Sequence, residues 1–144
     1  MSTTSLEDRN FPEWDPRRFA NAVNLTFIVL PGSTSIRGTG AKVGDLAYIY
    51  WAETGKNVYA IYGDVGPSSS IGEASVATHM ALENNPYGSS GRVTNGIDSG
   101  VWTIVFPGSG SGKLLTQEQI NTLGAQAFNN WGGQARFDKC ILEV

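Results

Sequence analysis

Short apolar runs that stop at Pro-Gly pairs constrain the fold of this chain more than any other feature of its sequence. Residues 24–30 (NLTFIVL) and 101–106 (VWTIVF) both end in this way, as buried strands followed by tight turns do. Residues 46–52 and 57–62 lie on either side of a turn containing Gly55, which predicts a hairpin. Glycine is abundant, at 18 of 144 residues. The pattern therefore predicts a mainly β fold of short strands.

Two segments have the character of helices. Residues 74–84 follow Gly72, contain good helix formers and stop before Pro86. A second helix is predicted to begin at Thr116, because Thr116 and Gln119 form a capping-box pair and apolar residues then recur at helical spacing. We therefore expect two helices beside the strands.

The other segments complete a one-domain prediction. Residues 1–22 are polar and predict an N-terminal arm, and residues 23–144 are long enough to form one domain with its own core. Residues 33–44 and 87–100 have the composition of loops, and residues 136–144 are predicted to form a last strand.

Charge and composition exclude several classes of protein. The net charge of −3 and pI of 5.0 argue against nucleic-acid binding, because no basic surface is available to neutralise phosphates. No apolar run is long enough to span a membrane, and the first residues do not resemble a signal peptide. We expect a monomer without cofactor or metal, secreted or delivered outside the cell by a route that needs no classical signal.

The densest group of chemically informative residues is YGDVGPSSSIGEAS, residues 62–75. Asp64 follows a buried strand and Glu73 follows a glycine, so both carboxylates are predicted to be accessible on a defined scaffold. Glycosidic hydrolysis uses such a pair, with one group protonated and the other ionised. The competing interpretation is that Asp64 is a turn residue and Glu73 a charge at a helix N-terminus.

The remaining motifs point to structure rather than chemistry. His79 is the only histidine and has no partner at a useful spacing, which argues against a Ser-His-Asp hydrolase or a zinc site. Cys140 is the only cysteine and is predicted to be a core residue. Residues 107–114 imitate a phosphate-binding loop, and residues 38–44 a dinucleotide loop, but each departs from its motif.

Several aromatic side chains could stack on sugar rings, although most are expected in the core: Trp14, Trp51, Tyr59, Tyr62, Tyr87, Trp102 and Trp131. Tyr62 lies beside the acidic turn, and Tyr87 lies in the loop after the first helix. These two tyrosines are therefore the aromatic candidates for a substrate cleft.

Four blocks in this order resemble the fungal-type chitosanases of glycoside hydrolase family 75: GDVGP (63–67), IGEAS (71–75), LENNP (82–86) and FPGSG (106–110). The resemblance implies cleavage of β-1,4 bonds in chitosan by an inverting mechanism. Its two essential carboxylates correspond to Asp64 and Glu73, and a further block places Lys42 and Asp45 in supporting positions of the cleft.

The Asp-Val-Gly turn also resembles the signature of double-psi β-barrels, a fold of some cellulases and peptidoglycan lytic transglycosylases. This wider resemblance implies a six-stranded double-psi β-barrel. It also leaves two alternatives open, a peptidoglycan-cleaving toxin of a phage or bacterium and a non-catalytic carbohydrate-binding barrel. For the enzyme, we expect Asp64 to be the general acid because of desolvation, and Glu73 to be the base because of the helix dipole.

Overall fold

The computed structural model describes residues 3–67, 73–93, 95–97 and 99–142, which form a mixed five-stranded sheet and four α-helices. The strands are β1 (Phe27–Pro31), β2 (Leu46–Trp51), β3 (Lys56–Gly66), β4 (Glu73–Ala74) and β5 (Val101–Phe106). The helices are α1 (Thr34–Gly38), α2 (Val76–Ala81), α3 (Gln117–Trp131) and α4 (Gly133–Leu142), and a short 3-10 helix covers Pro16–Arg18.

The sheet has the order β4-β1-β3-β2-β5. β2 pairs antiparallel with both β3 and β5, whereas β1 pairs parallel with β3 and antiparallel with β4. The predicted hairpin is confirmed, because Trp51 pairs with Lys56 across a turn in which Gly55 has a φ of 71°. Glycine adopts this left-handed conformation without the steric cost that a side chain brings.

One face of the sheet, which we call the helix-covered face, packs against α3 and α4. Tyr48 of β2 stacks on Phe128 of α3 with ring centroids 4.2 Å apart, and Phe137 of α4 meets Tyr48 edge-on at 5.1 Å. Leu6 of the N-terminal arm belongs to the same core cluster and is 2% exposed. The N-terminal arm therefore contributes a buried side chain to the core.

The opposite face, which we call the cleft face, carries a second apolar cluster. Ile28, Ile49 and Tyr62 alternate along their strands with residues of the helix-covered face, as the two-residue period of a strand requires. Leu82, which caps the C-terminus of α2, packs on this cluster and is 2% exposed.

The architecture is mixed α/β rather than mainly β. Within the described residues the edge strands β4 and β5 do not pair, so the sheet is open and the six-stranded double-psi β-barrel is not confirmed. The predicted strand at residues 136–144 was wrong where it is described, because Gly133–Leu142 is helix α4. A short helix also lies within residues 33–44, where Ser33 caps α1 by accepting the Ile36 N–H.

The predicted capping box is confirmed at the start of α3. Thr116 accepts the Gln119 N–H, and the Gln119 side chain accepts the Thr116 N–H. The helix ends at Gly132, as predicted from the two glycines. None of the described helices is long and apolar enough to cross a membrane.

The close approach of α3 to the sheet gives a test of the fold. A Cβ on Gly124 would lie 2.7 Å from the Tyr59 Cβ, whereas a Cβ on Gly38 in α1 would meet nothing within 4 Å. Replacement of a helical glycine by alanine ordinarily stabilises by about 0.5–1 kcal/mol. We expect Gly124→Ala to destabilise by about 1–3 kcal/mol through overpacking, and Gly38→Ala to be neutral or stabilising. Urea unfolding measures both, and a stabilised Gly124→Ala would contradict this packing.

Candidate active site

The sheet register brings the two predicted carboxylates into one row. Val29 of β1 pairs with Asp64 of β3 on one side and with Glu73 of β4 on the other. Paired residues on adjacent strands direct their side chains to the same face. Asp64 and Glu73 therefore flank Val29 on the helix-covered face, separated by one strand.

This arrangement depends on an irregularity at Gly63. Ile28 pairs with Tyr62, but the next residue of β1, Val29, pairs with Asp64, so Gly63 is an extra residue in β3. An extra residue shifts the alternation of the strand. Without it, Asp64 would share the face of Tyr62 and lie on the other side of the sheet from Glu73. A Cβ on Gly63 would lie 3.0 Å from the Phe27 Cβ, which explains why glycine occupies this position.

Gly66 lies close to both Val29 and the Glu73 carboxylate. A Cβ on Gly66 would lie 3.0 Å from Val29 Cγ1 and 3.6 Å from Glu73 Oε2, so the Glu73 carboxylate reaches over β1 towards β3. Asp64 and Gly66 are two residues apart on β3, which corresponds to about 6.6 Å along a strand. The Glu73 carboxylate is therefore separated from the Asp64 Cβ by about 10 Å at most.

The Asp64 carboxylate is held through one oxygen. Its Oδ1 accepts the Ser5 N–H at 2.9 Å, the Ser5 hydroxyl at 2.8 Å and the Val65 N–H at 3.0 Å. Oδ2 accepts no hydrogen bond from the described residues. Asp64 is half-buried, and Glu73 is exposed at the edge of the sheet.

The structure changes the reasons for assigning Asp64 as the general acid and Glu73 as the base. Asp64 lies inside β3, which extends to Gly66, and its half-buried carboxylate has three donors on Oδ1. Glu73 lies in β4, and Ser75 caps α2 by accepting the Thr78 N–H. The prediction that Glu73 begins the helix was therefore wrong, and the helix dipole gives it no role as base.

A cleft of about 930 Å³ lies on the cleft face and reaches Glu73 and Val29. Its floor is apolar and includes Ile28 and Ile49 of the sheet. Asp64 is not among its lining residues. Glu73 therefore belongs to both features, since it lines the cleft and also flanks Val29 with Asp64.

His79, in helix α2, lines the same cleft as Glu73. Its Nδ1 lies 3.0 Å from Asn84 Nδ2, and the same Asn84 nitrogen donates to the Asn95 carbonyl at 3.1 Å. With the amide oriented in this way, Nδ1 is the acceptor and the imidazole is neutral. Burial lowers the pKa of His79 from 6.5, which also favours the neutral imidazole.

Tyr62 and Tyr87 have different environments. Tyr62 is only 4% exposed and packs in the cluster of the cleft face, so its ring has little free surface for stacking on a sugar. Burial raises the pKa of Tyr62, and the charge of Asp64 adds to this effect. Tyr87 is exposed and pairs with Val93 in an isolated bridge. It remains accessible, but it does not line the cleft.

Lys42 and Asp45 do not form part of the cleft either. Asp45 is 4% exposed, and its carboxylate accepts the backbone N–H groups of Lys42, Gly108 and Gly110. It joins the loop before β2 to the loop after β5. A Cβ on Gly110 would overlap the carbonyl oxygen of Gly44, so the two loop backbones are in direct contact. The Lys42 side chain is exposed.

Cys140, Trp14 and Trp51 do not line the cleft. Cys140 is half-buried in α4 rather than enclosed in a core strand. Of the tryptophans, Trp14 is 78% exposed and Trp51 is 8% exposed. Ile71 and Gly72 of the IGEAS block lie outside the described residues. Among the described residues, no three His, Cys, Asp or Glu side chains form a group that could hold a metal ion.

Sequence reasoning missed Ser5 and misread Gly66. Ser5 is 59 positions from Asp64, and no local motif indicates that a polar arm returns to a strand so far along the chain. Gly66 was interpreted as a turn residue, whereas it is the last residue of β3 beneath the Glu73 carboxylate. A comparison with protein-family models finds no match to this chain, and a comparison with curated proteins finds no significant one.

The environment of His79 predicts a pH-dependent stability. A lowered folded-state pKa means that the unfolded chain binds a proton at higher pH, so the unfolding free energy falls as the pH drops below about 6.5. Wild type should therefore lose more stability than His79→Gln between about pH 7.5 and about pH 5. Because His79 is the only histidine, its imidazole NMR titration is unambiguous. A midpoint at or above 6.5 would contradict the burial effect.

Proposed function

We propose that this protein is a glycoside hydrolase that uses Asp64 and Glu73 as its pair of carboxylates. One observation carries the proposal, namely that both residues pair with Val29 and share one face of the sheet. Most glycosidases cleave with two carboxyl groups, one on either side of the glycosidic bond. One protonates the glycosidic oxygen while the other acts on water or on the anomeric carbon.

The substrate that we propose is a β-1,4-linked glucosamine polymer such as chitosan, and we propose that it is cleaved internally. The cleft gives support, because its apolar floor suits the hydrophobic faces of sugar rings and it reaches Glu73 and Val29. Of the two carboxylates, Glu73 is the one that this cleft reaches. The net charge of −3 also suits a cationic polymer.

The proposed relationship to double-psi β-barrel glycosidases rests on the Asp-Val-Gly sequence of residues 64–66. In the open sheet described above, these residues end a strand that pairs parallel with β1. The proposal needs only this local arrangement and does not require a closed barrel. Peptidoglycan, the alternative polymer for this class of enzyme, is therefore included as a substrate in the test.

Removal of either carboxylate tests the proposed function. We expect Asp64→Asn and Glu73→Gln each to reduce the cleavage rate by about 10²–10⁴-fold, as the loss of a general acid or base does. Release of reducing ends should be measured on chitosan, chitin and peptidoglycan in parallel. The proposed substrate predicts the highest rate on chitosan, and a preference for peptidoglycan would replace it with the alternative.

Two exposed carboxylates outside the site serve as matched controls. Glu53 lies in the β2–β3 turn, and Asp138 lies on α4. Glu53→Gln and Asp138→Asn should leave the rate within about twofold of wild type, because surface substitutions away from special features change little. Activity of Asp64→Asn or Glu73→Gln equal to that of its control would refute the assigned pair.

The separation of the carboxylates predicts the stereochemical outcome. Inverting glycosidases place their carboxyl groups about 6.5–9.5 Å apart to admit a water, whereas retaining enzymes place them about 5–5.5 Å apart. A full strand, β1, lies between Asp64 and Glu73, which favours the wider class. The first product from a β-linked chain should therefore be the α-anomer. Proton NMR of the early hydrolysate distinguishes the two, and a β-anomer formed first would exclude inversion.

A further inference from the structure

The N-terminal arm is anchored beside Asp64 by contacts that do not involve Ser5. The Leu6 side chain is buried, and the Leu6 N–H donates to the Gly63 carbonyl at 2.9 Å. Glu7 forms an ion pair with Arg18 at 3.0 Å, which closes the arm on itself. The arm therefore contacts β3 at the extra residue that sets the register of Asp64.

Within this anchored arm, Ser5 provides two of the three donors to Asp64 Oδ1. The third, the Val65 N–H, comes from the next residue along the strand. The Ser5 side chain is exposed, and both its hydroxyl and its N–H donate to Asp64. Leu6 and Glu7 therefore anchor the arm through contacts that are independent of the Ser5 hydroxyl.

We propose that Ser5 is a positioning residue that fixes the rotation of the Asp64 carboxyl group. The terminal torsion of an aspartate is broad, so the carboxyl group needs outside contacts to hold one orientation. Three donors on Oδ1 leave Oδ2 as the oxygen that exchanges a proton with substrate or water. This inference rests on the proposed glycosidase function, and it makes the N-terminal arm part of the active site.

The main test is the kinetics of three variants on the polymer that wild type cleaves. Ser5→Ala removes one of two Ser5 donors and should lower kcat by about three- to tenfold, in line with one hydrogen bond, with KM unchanged. Ser5→Thr keeps the hydroxyl and should retain wild-type kcat. Ser90→Ala, at an exposed serine of the loop after α2, is the matched control and should also match wild type.

A second measurement tests the contact without any activity. In a pH titration followed by NMR, the amide signals of Ser5 and Val65 should shift with the same midpoint as the Asp64 carboxyl carbon. Asp64→Asn should abolish both amide shifts. A Ser5 amide that does not follow Asp64 would overturn the proposed contact.

The two measurements separate this inference from the proposed function. If Asp64→Asn is inactive and Ser5→Ala is as active as Ser90→Ala, the positioning role is wrong and the glycosidase proposal stands. If wild type cleaves none of the three polymers while the Ser5 amide follows Asp64, the glycosidase proposal is wrong and the contact stands. A rise in KM without a fall in kcat for Ser5→Ala would also contradict positioning.

Discussion

The parallel pairing of β1 with β3, with Gly63 as an extra residue, is the constraint on which the candidate site depends. Before Gly63, β3 alternates between the two apolar clusters in step with β1. After it, the alternation is shifted by one, so that a charged residue takes the place next to Val29 on the helix-covered face. A residue that lacks a side chain thus decides on which face the first carboxylate lies.

Glu73, the second carboxylate, lies beside Val29 because of a different strand pairing, that of β4 with β1. Glu73 is the first described residue of β4, and it is exposed at the edge of the sheet and in register with Val29. Its side chain then extends over β1 towards Gly66. Two glycines on β3 therefore lie at the site. Gly63 shifts the register, and Gly66 avoids the crowding of Val29 that a side chain would cause. The cleft lies on the opposite face and reaches Glu73, but not Asp64, at this edge.

Local signals predicted the local structure well. The Gly55 hairpin and the Thr116 capping box were correct because turn geometry and caps depend on neighbouring residues. The sequence predicted which two carboxylates form the pair. It could not predict that they flank Val29, because this depends on the parallel pairing of β1 with β3, which are distant in the sequence. The prediction of a strand at residues 136–144 was wrong, because a short apolar run fits the period of a helix as well as that of a strand. In the structure, Phe137 packs on Tyr48 from helix α4.

The contact between Gly44 and Gly110 has a consequence for how this sequence can diverge. Surface loops usually accumulate substitutions and insertions faster than the strands they connect. Here the two loops touch through their backbones, and Gly44 also has a φ of 101°, so neither position has space for a side chain. Among related sequences, these loops should therefore vary as little as the buried strands, and a length change in one would require a compensating change in the other.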